Sequence, residues 1–177
     1  MKALINLWVK FSDRVASATP EIMINWRMVG VNVNALMNTS LGWVITGLGM
    51  LLTIVAVYFL IKHNPPYGST QWVMTMLGVF SATLAITWHS HSHMAMVLIP
   101  FLIYTSLYKL LPRKILYLWV IVTPVAWFGT VLIIPFVMFF AKVYSQSCQW
   151  MVAAYSGFIL NLIILILTIK SSYKQLL

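Results

Sequence analysis

The chain has 177 residues, of which 62% are hydrophobic and 7% charged, against about 25% charged in an ordinary soluble domain. With a mean hydropathy of +0.93 and several long apolar runs, it reads as an all-α, polytopic integral membrane protein of the cell membrane. The net charge of +9 comes from eleven Lys and Arg scattered singly near the ends of apolar runs, which is membrane anchoring and excludes a nucleic-acid surface; the lone Cys148 excludes an internal disulfide.

From the N-terminus, Met1 to Thr19 lacks the apolar core and cleavage site of a signal peptide. Residues Lys2 to Ser17 place Leu4, Leu7, Trp8, Phe11 and Val15 on one helical stripe. Lys2, Asn6, Lys10, Asp13 and Arg14 fall largely elsewhere, so the segment predicts an amphipathic helix lying in the interface. Pro20 stops it. Glu21 to Ser40 mixes Asn25, Arg27, Asn32, Asn34 and Asn38 with apolar residues and reads as irregular backbone or a short helix at the membrane surface. Residues 1–40 therefore form a surface segment, and 41–177 a single bundle of about five transmembrane helices.

The first span is Leu41 to Ile61, followed by a tight loop from Lys62 to Gln71 around Pro65-Pro66 and Gly68. Trp72 to Trp88 is a short second span, and Met94 to Leu111 a third. Between them runs His89-Ser90-His91-Ser92-His93. Pro112-Arg113-Lys114 turns the chain into a fourth span, Ile115 to Phe140, which holds Pro124 and Pro135. Cys148 to Ile169 is the fifth, ahead of a polar tail from Lys170 to Leu177.

Lys62, Lys109, Arg113, Lys114, Lys170 and Lys174 all reach one side close to span ends. The positive-inside rule makes that side cytoplasmic and turns the histidine run outward. The first forty residues would then cross the membrane, as expected for the C-terminal part of something longer.

Three histidines at a hydrocarbon boundary form a functional-site hypothesis, because such groups need water, phosphate, metal or a partner. On a helix His89 and His93 would share a face; in an extended turn all three would converge. A metal site is disfavoured, since the only carboxylates are Asp13 and Glu21 and neither is adjacent in sequence. Two readings stay open: a polar turn bonded to water and headgroups, and a contact for an anionic lipid phosphate. Asn25-Trp26-Arg27 adds a planar fork for phosphate beside an interfacial indole, or else a plain anchor pair. Acid–base chemistry is poorly served, with Glu21 the better of two weak candidates for a catalytic carboxylate. No phosphate loop, nucleophile elbow or dinucleotide fingerprint is present, and no cofactor is expected.

From Phe11 to Leu111 the order of pieces resembles the C-terminal half of the polyprenyl-phosphate-sugar-dependent glycosyltransferases of family 87, in the C-type superfamily. The resemblance rests on Met23-Ile24-Asn25-Trp26-Arg27 before a span, then a span ending in His89 to His93, then the Leu98-Ile99-Pro100 run. It implies an enzyme that transfers a hexose, commonly mannose, from a polyprenyl-phosphate donor on the outer face. His89, His91 and His93 would lie near the donor phosphate, with Arg27 and Asn25 as further substrate-binding candidates. The chain departs from the family at Met28-Val29 and Trp88, and has no Asp after the histidines. The superfamily's catalytic acid usually belongs to the first external loop, in a half that this sequence does not contain. The resemblance thus implies a partner chain that supplies the base. The competing expectation is a non-catalytic small membrane subunit packed in a larger complex.

Overall fold

The computed structural model describes residues 23–62, 64–122 and 146–174. The expected Lys2–Ser17 helix, Asp13, Glu21 and most of the expected fourth span lie outside them. All regular structure among the described residues is helical: α1 (Trp26–Met37), α2 (Leu41–Ile61), α3 (Thr70–Ile86), a 3₁₀ segment (Ser92–Leu98), α4 (Ile99–Leu107), α5 (Arg113–Val120) and α6 (Gln146–Lys174).

From Trp26 to Met37 the mixed stretch is a regular helix. Asn25 is extended and its side chain accepts from the Met28 N–H at 3.0 Å, which starts α1. Asn38 takes the left-handed conformation and returns its N–H to the Asn34 carbonyl, which ends it. α1 docks along α2 on Gly42, Thr46, Gly49 and Thr53, spaced three to four apart and all buried. A methyl on Gly30 or Gly42 would collide with the other's carbonyl, and one on Gly49 with the Trp26 indole. Polar side chains then lock the contact. The Trp26 indole donates to Thr53 Oγ1 at 2.9 Å, and the Gly42 N–H donates to Asn34 Oδ1 at 2.7 Å.

The remaining surface of α2 is apolar and open: Leu48, Leu51, Leu52, Ile54, Val55 and Phe59 are all exposed. At about 1.5 Å per residue such a helix covers the ~30 Å of a bilayer core. Among the described residues two helices are long and apolar enough to cross a membrane, Leu41–Ile61 and the Ala154–Ser172 part of α6; Thr70–Ile86 and His93–Leu107 are apolar but shorter.

α3 and α6 form the broadest helix pair. Gly78 faces Thr168 and Leu60, while Gly157 faces Ile24, whose N–H bonds the Ser90 carbonyl just past α3. The two helices therefore run antiparallel. α4 folds back on α3, with Phe80 against Phe101 at 5.2 Å between ring centroids. The expected third span is broken rather than continuous. Pro100 lies in the first turn of α4 and has no N–H for a helical ladder, so the α-helix begins there and the residues before it wind as 3₁₀. Met23, Ile24, Met28, Leu77, Leu98, Leu102, Trp119 and Ile164 fill the core between these elements.

One end of the bundle thus carries the start of α1 and residues 87–98. The other carries the 62–69 loop, the α4–α5 turn and the C-terminal end of α6.

Candidate functional site

The site at the first end is built by a chain crossing. The Ile24 N–H donates to the Ser90 carbonyl at 2.8 Å. One residue on, the Asn25 amide donates to the Thr87 carbonyl at 2.7 Å and the Trp88 carbonyl at 3.2 Å. α3 has just ended at Ile86, so these carbonyls have no helical partner ahead of them. Asn25 is fully buried. Its oxygen caps α1 and its nitrogen caps the end of α3, so it holds two helix ends in register.

That register carries Arg27, in the first turn of α1, over the Trp88 ring, with the guanidinium carbon 4.2 Å from the ring centroid. Trp88 is half exposed, so the pair sits at the rim. The histidines follow directly. His91 is extended and caps the 3₁₀ segment. The His91 and His93 rings stack at 5.7 Å, 9° from parallel. Burial pushes the His91 imidazole below its ordinary 6.5, and the charges of His93 and His89 push the same way. The turn is extended at His91 and 3₁₀-helical from Ser92, and it pairs the His91 and His93 rings. Two buried polar atoms in it, His89 Nδ1 and Ser90 Oγ, make no hydrogen bond within the described residues.

The structure thus brings Asn25, Arg27, His89, His91 and His93 to one end of the bundle. Glu21 lies outside the described residues. No three His, Cys, Asp or Glu side chains converge as metal ligands among the described residues. Sequence reasoning did not anticipate Trp88 as Arg27's platform or Ser90 as the acceptor that clamps Ile24. The signal available was an indole placed directly before the histidine run. No protein-family model, curated protein or solved structure matches the chain.

Proposed function

We propose that this chain is a multi-pass protein of the cell membrane whose histidine end binds the phosphate of a polyprenyl-phosphate sugar donor. In this reading it serves hexosyl transfer, commonly of mannose, together with a second chain or segment that supplies the catalytic carboxylate. The observation that carries it is the joining of Arg27, Trp88 and three histidines by the Asn25 and Ile24 clamps, at a helix end beside an apolar surface. Arg and imidazolium form strong charge-assisted hydrogen bonds to phosphate oxygens. His89 Nδ1 and Ser90 Oγ add hydrogen-bonding capacity that the described residues leave unspent. The exposed apolar face of α2 supports lipid contact on the flank.

The test is binding of a radiolabelled polyprenyl phosphate to the purified full chain in phosphatidylcholine vesicles. Replacing His89, His91 and His93 together by Ala should weaken binding at least tenfold, as expected for the loss of hydrogen bonds to a charged group. Unchanged binding by a variant with an unaltered melting profile overturns the phosphate role.

One observation favours a second reading, a non-catalytic membrane subunit. Residues 23–62, 64–122 and 146–174 contain no Asp or Glu at all, so the described site has no carboxylate base. Hexosyl transfer by the chain alone, abolished by Glu21→Gln, decides against that reading.

A further inference from the structure

At the opposite end of the bundle the chain between α2 and α3 turns over the start of α3. The Lys62 N–H closes α2 on the Tyr58 carbonyl at 3.0 Å, and Asn64, left-handed at φ 39°, returns its N–H to the Ile61 carbonyl at 3.0 Å. Ser69 accepts the Trp72 N–H at 3.1 Å and caps α3, which fixes Trp72 in its first turn. Gly68 supplies a positive φ of 76° just before that cap. Tyr67 thereby meets Trp72 edge to face, with ring centroids 4.9 Å apart and planes 62° from parallel.

Asn64, Tyr67, Trp72, Thr75 and Met76, with Ile61 of α2, line a pocket of about 220 Å³. Thr75 sets it apart. Thr46, Thr53, Thr83, Thr105 and Thr168 each donate their hydroxyl to a carbonyl three or four residues back. Thr75 makes no such bond among the described residues, although it is only 3% exposed and lines the pocket. A buried hydroxyl without a partner is costly, and an occupant of the pocket would supply one. Tyr67 and Trp72 by themselves could be plain interfacial anchors; the unspent Thr75 hydroxyl is what anchoring leaves unexplained.

The walls narrow the chemistry of the occupant. Among the described residues no charged side chain lines the pocket. They hold no Asp or Glu, and Lys62 ends the adjoining helix, so an organic cation is disfavoured despite the two rings. An anion finds no cation in the lining. A wholly apolar occupant leaves the Thr75 hydroxyl and the Asn64 amide unanswered. Both are neutral groups that donate and accept, as sugar hydroxyls do, and the C–H face of a pyranose is an apolar surface for an aromatic ring.

We propose that this pocket binds the hexopyranose ring of a neutral sugar, packed against Tyr67 and Trp72 and hydrogen-bonded to Thr75 Oγ1 and the Asn64 amide. The site is separate from the histidine end and does not rest on the phosphate reading.

The test uses the purified full chain in a sugar-free detergent, with adducts of octyl β-glucoside, methyl β-glucoside and octyl tetraethylene glycol ether quantified by native mass spectrometry. Octyl glucoside should bind roughly tenfold more tightly than the ether, which has the same alkyl chain and no ring. Equal binding of those two assigns the contact to the alkyl chain and overturns the proposal, as does the absence of adducts with both glucosides. Methyl glucoside bound as well as octyl glucoside supports a site for a free sugar; octyl glucoside bound well above methyl glucoside supports one for a glycolipid headgroup. Thr75→Val keeps the shape and removes only the hydroxyl. It should melt no lower than the parent and weaken glucoside binding about three- to tenfold. Tyr67→Leu changes a ring that is 89% exposed, so the fold should tolerate it while binding falls by a similar factor. Tyr108→Leu, at an exposed tyrosine of the same end outside the pocket lining, should leave binding within about twofold of the parent. A loss there equal to that of Tyr67→Leu assigns the effect to aromatic contact in general and overturns the proposal, and so does undiminished binding by Thr75→Val.

Discussion

Arg27 lies with its guanidinium carbon 4.2 Å from the centre of the Trp88 ring, in a register fixed by hydrogen bonds from Ile24 and Asn25 to the chain that leaves α3. The cation lies over the indole face, where the ring quadrupole attracts it. Lys would keep the charge and lose both the stacking and the fork. Arg27→Lys should therefore weaken polyprenyl-phosphate binding about three- to tenfold, with Arg27→Ala weaker still. A double-mutant cycle with Trp88→Leu, read from melting in detergent, should give a coupling of about 0.5–2 kcal/mol. Additive effects would mean that the stacked pair contributes nothing.

Asn25 is expected to be the most sensitive polar residue of this end. Asn25→Ala removes the α1 cap and strips the Thr87 and Trp88 carbonyls of their donor in a fully buried place. The loss should be about 2–4 kcal/mol, combining a cap with an unsatisfied buried group. Asn25→Asp keeps the cap acceptor but turns a carboxylate toward two carbonyl oxygens, so it should be no better than Ala. A melting temperature for Asn25→Asp equal to the parent's would contradict this hydrogen-bond assignment.

The long apolar runs made α2 and α6 legible in the sequence, and the turn residues around Pro65-Pro66 made the end of α2 legible too. α1 was legible only as one of two alternatives, a short helix or irregular backbone, because Asn25, Asn34 and Asn38 interrupt the apolar pattern as though they were breaks. In the fold each has a backbone to bond: Asn25 caps, Asn34 receives the Gly42 N–H, and Asn38 takes the left-handed exit. A polar residue that bonds a neighbouring backbone cannot be told from a loop residue by periodicity alone. The histidine run marked the site's place, yet its connection to Arg27 depends on contacts across the bundle that no spacing rule encodes. The broken third span was signalled by Pro100, which a count of apolar residues passes over.

The α1–α2 contact can be tested with three glycines of one helix pair. Gly42→Ala places a methyl into the Gly30 carbonyl, which is backbone and cannot swing aside, and against Asn34 Oδ1. It should cost about 1–3 kcal/mol, as overpacking does, and Gly30→Ala should cost a similar amount. Gly47 lies on the same helix with nothing within 4 Å of an added methyl. Gly47→Ala should be neutral or stabilise by up to about 1 kcal/mol through helix propensity. Melting curves of the three variants in one detergent would settle it, and a Gly42→Ala protein as stable as Gly47→Ala would rule out this packing.

The histidine turn should also make stability depend on pH, in a direction set by His91. Burial and its two histidine neighbours hold its pKa in the folded protein below 6.5. Between that lowered value and 6.5 the unfolded chain takes up a proton that the folded chain refuses. Stability should therefore be level above about pH 6.5 with respect to this group, and decline as the pH falls from there through the lowered value. His91→Gln removes the titrating ring and should flatten the decline, so the parent and variant melting temperatures should diverge between about pH 7 and pH 5. Parallel curves across that range would mean that His91 does not sense its surroundings as the geometry indicates. A bound phosphate reverses the preference, because an anion favours the protonated ring. Polyprenyl-phosphate binding should then tighten toward acid in the parent and do so less steeply in His91→Gln, while a ligand-free preparation shows only the decline in stability.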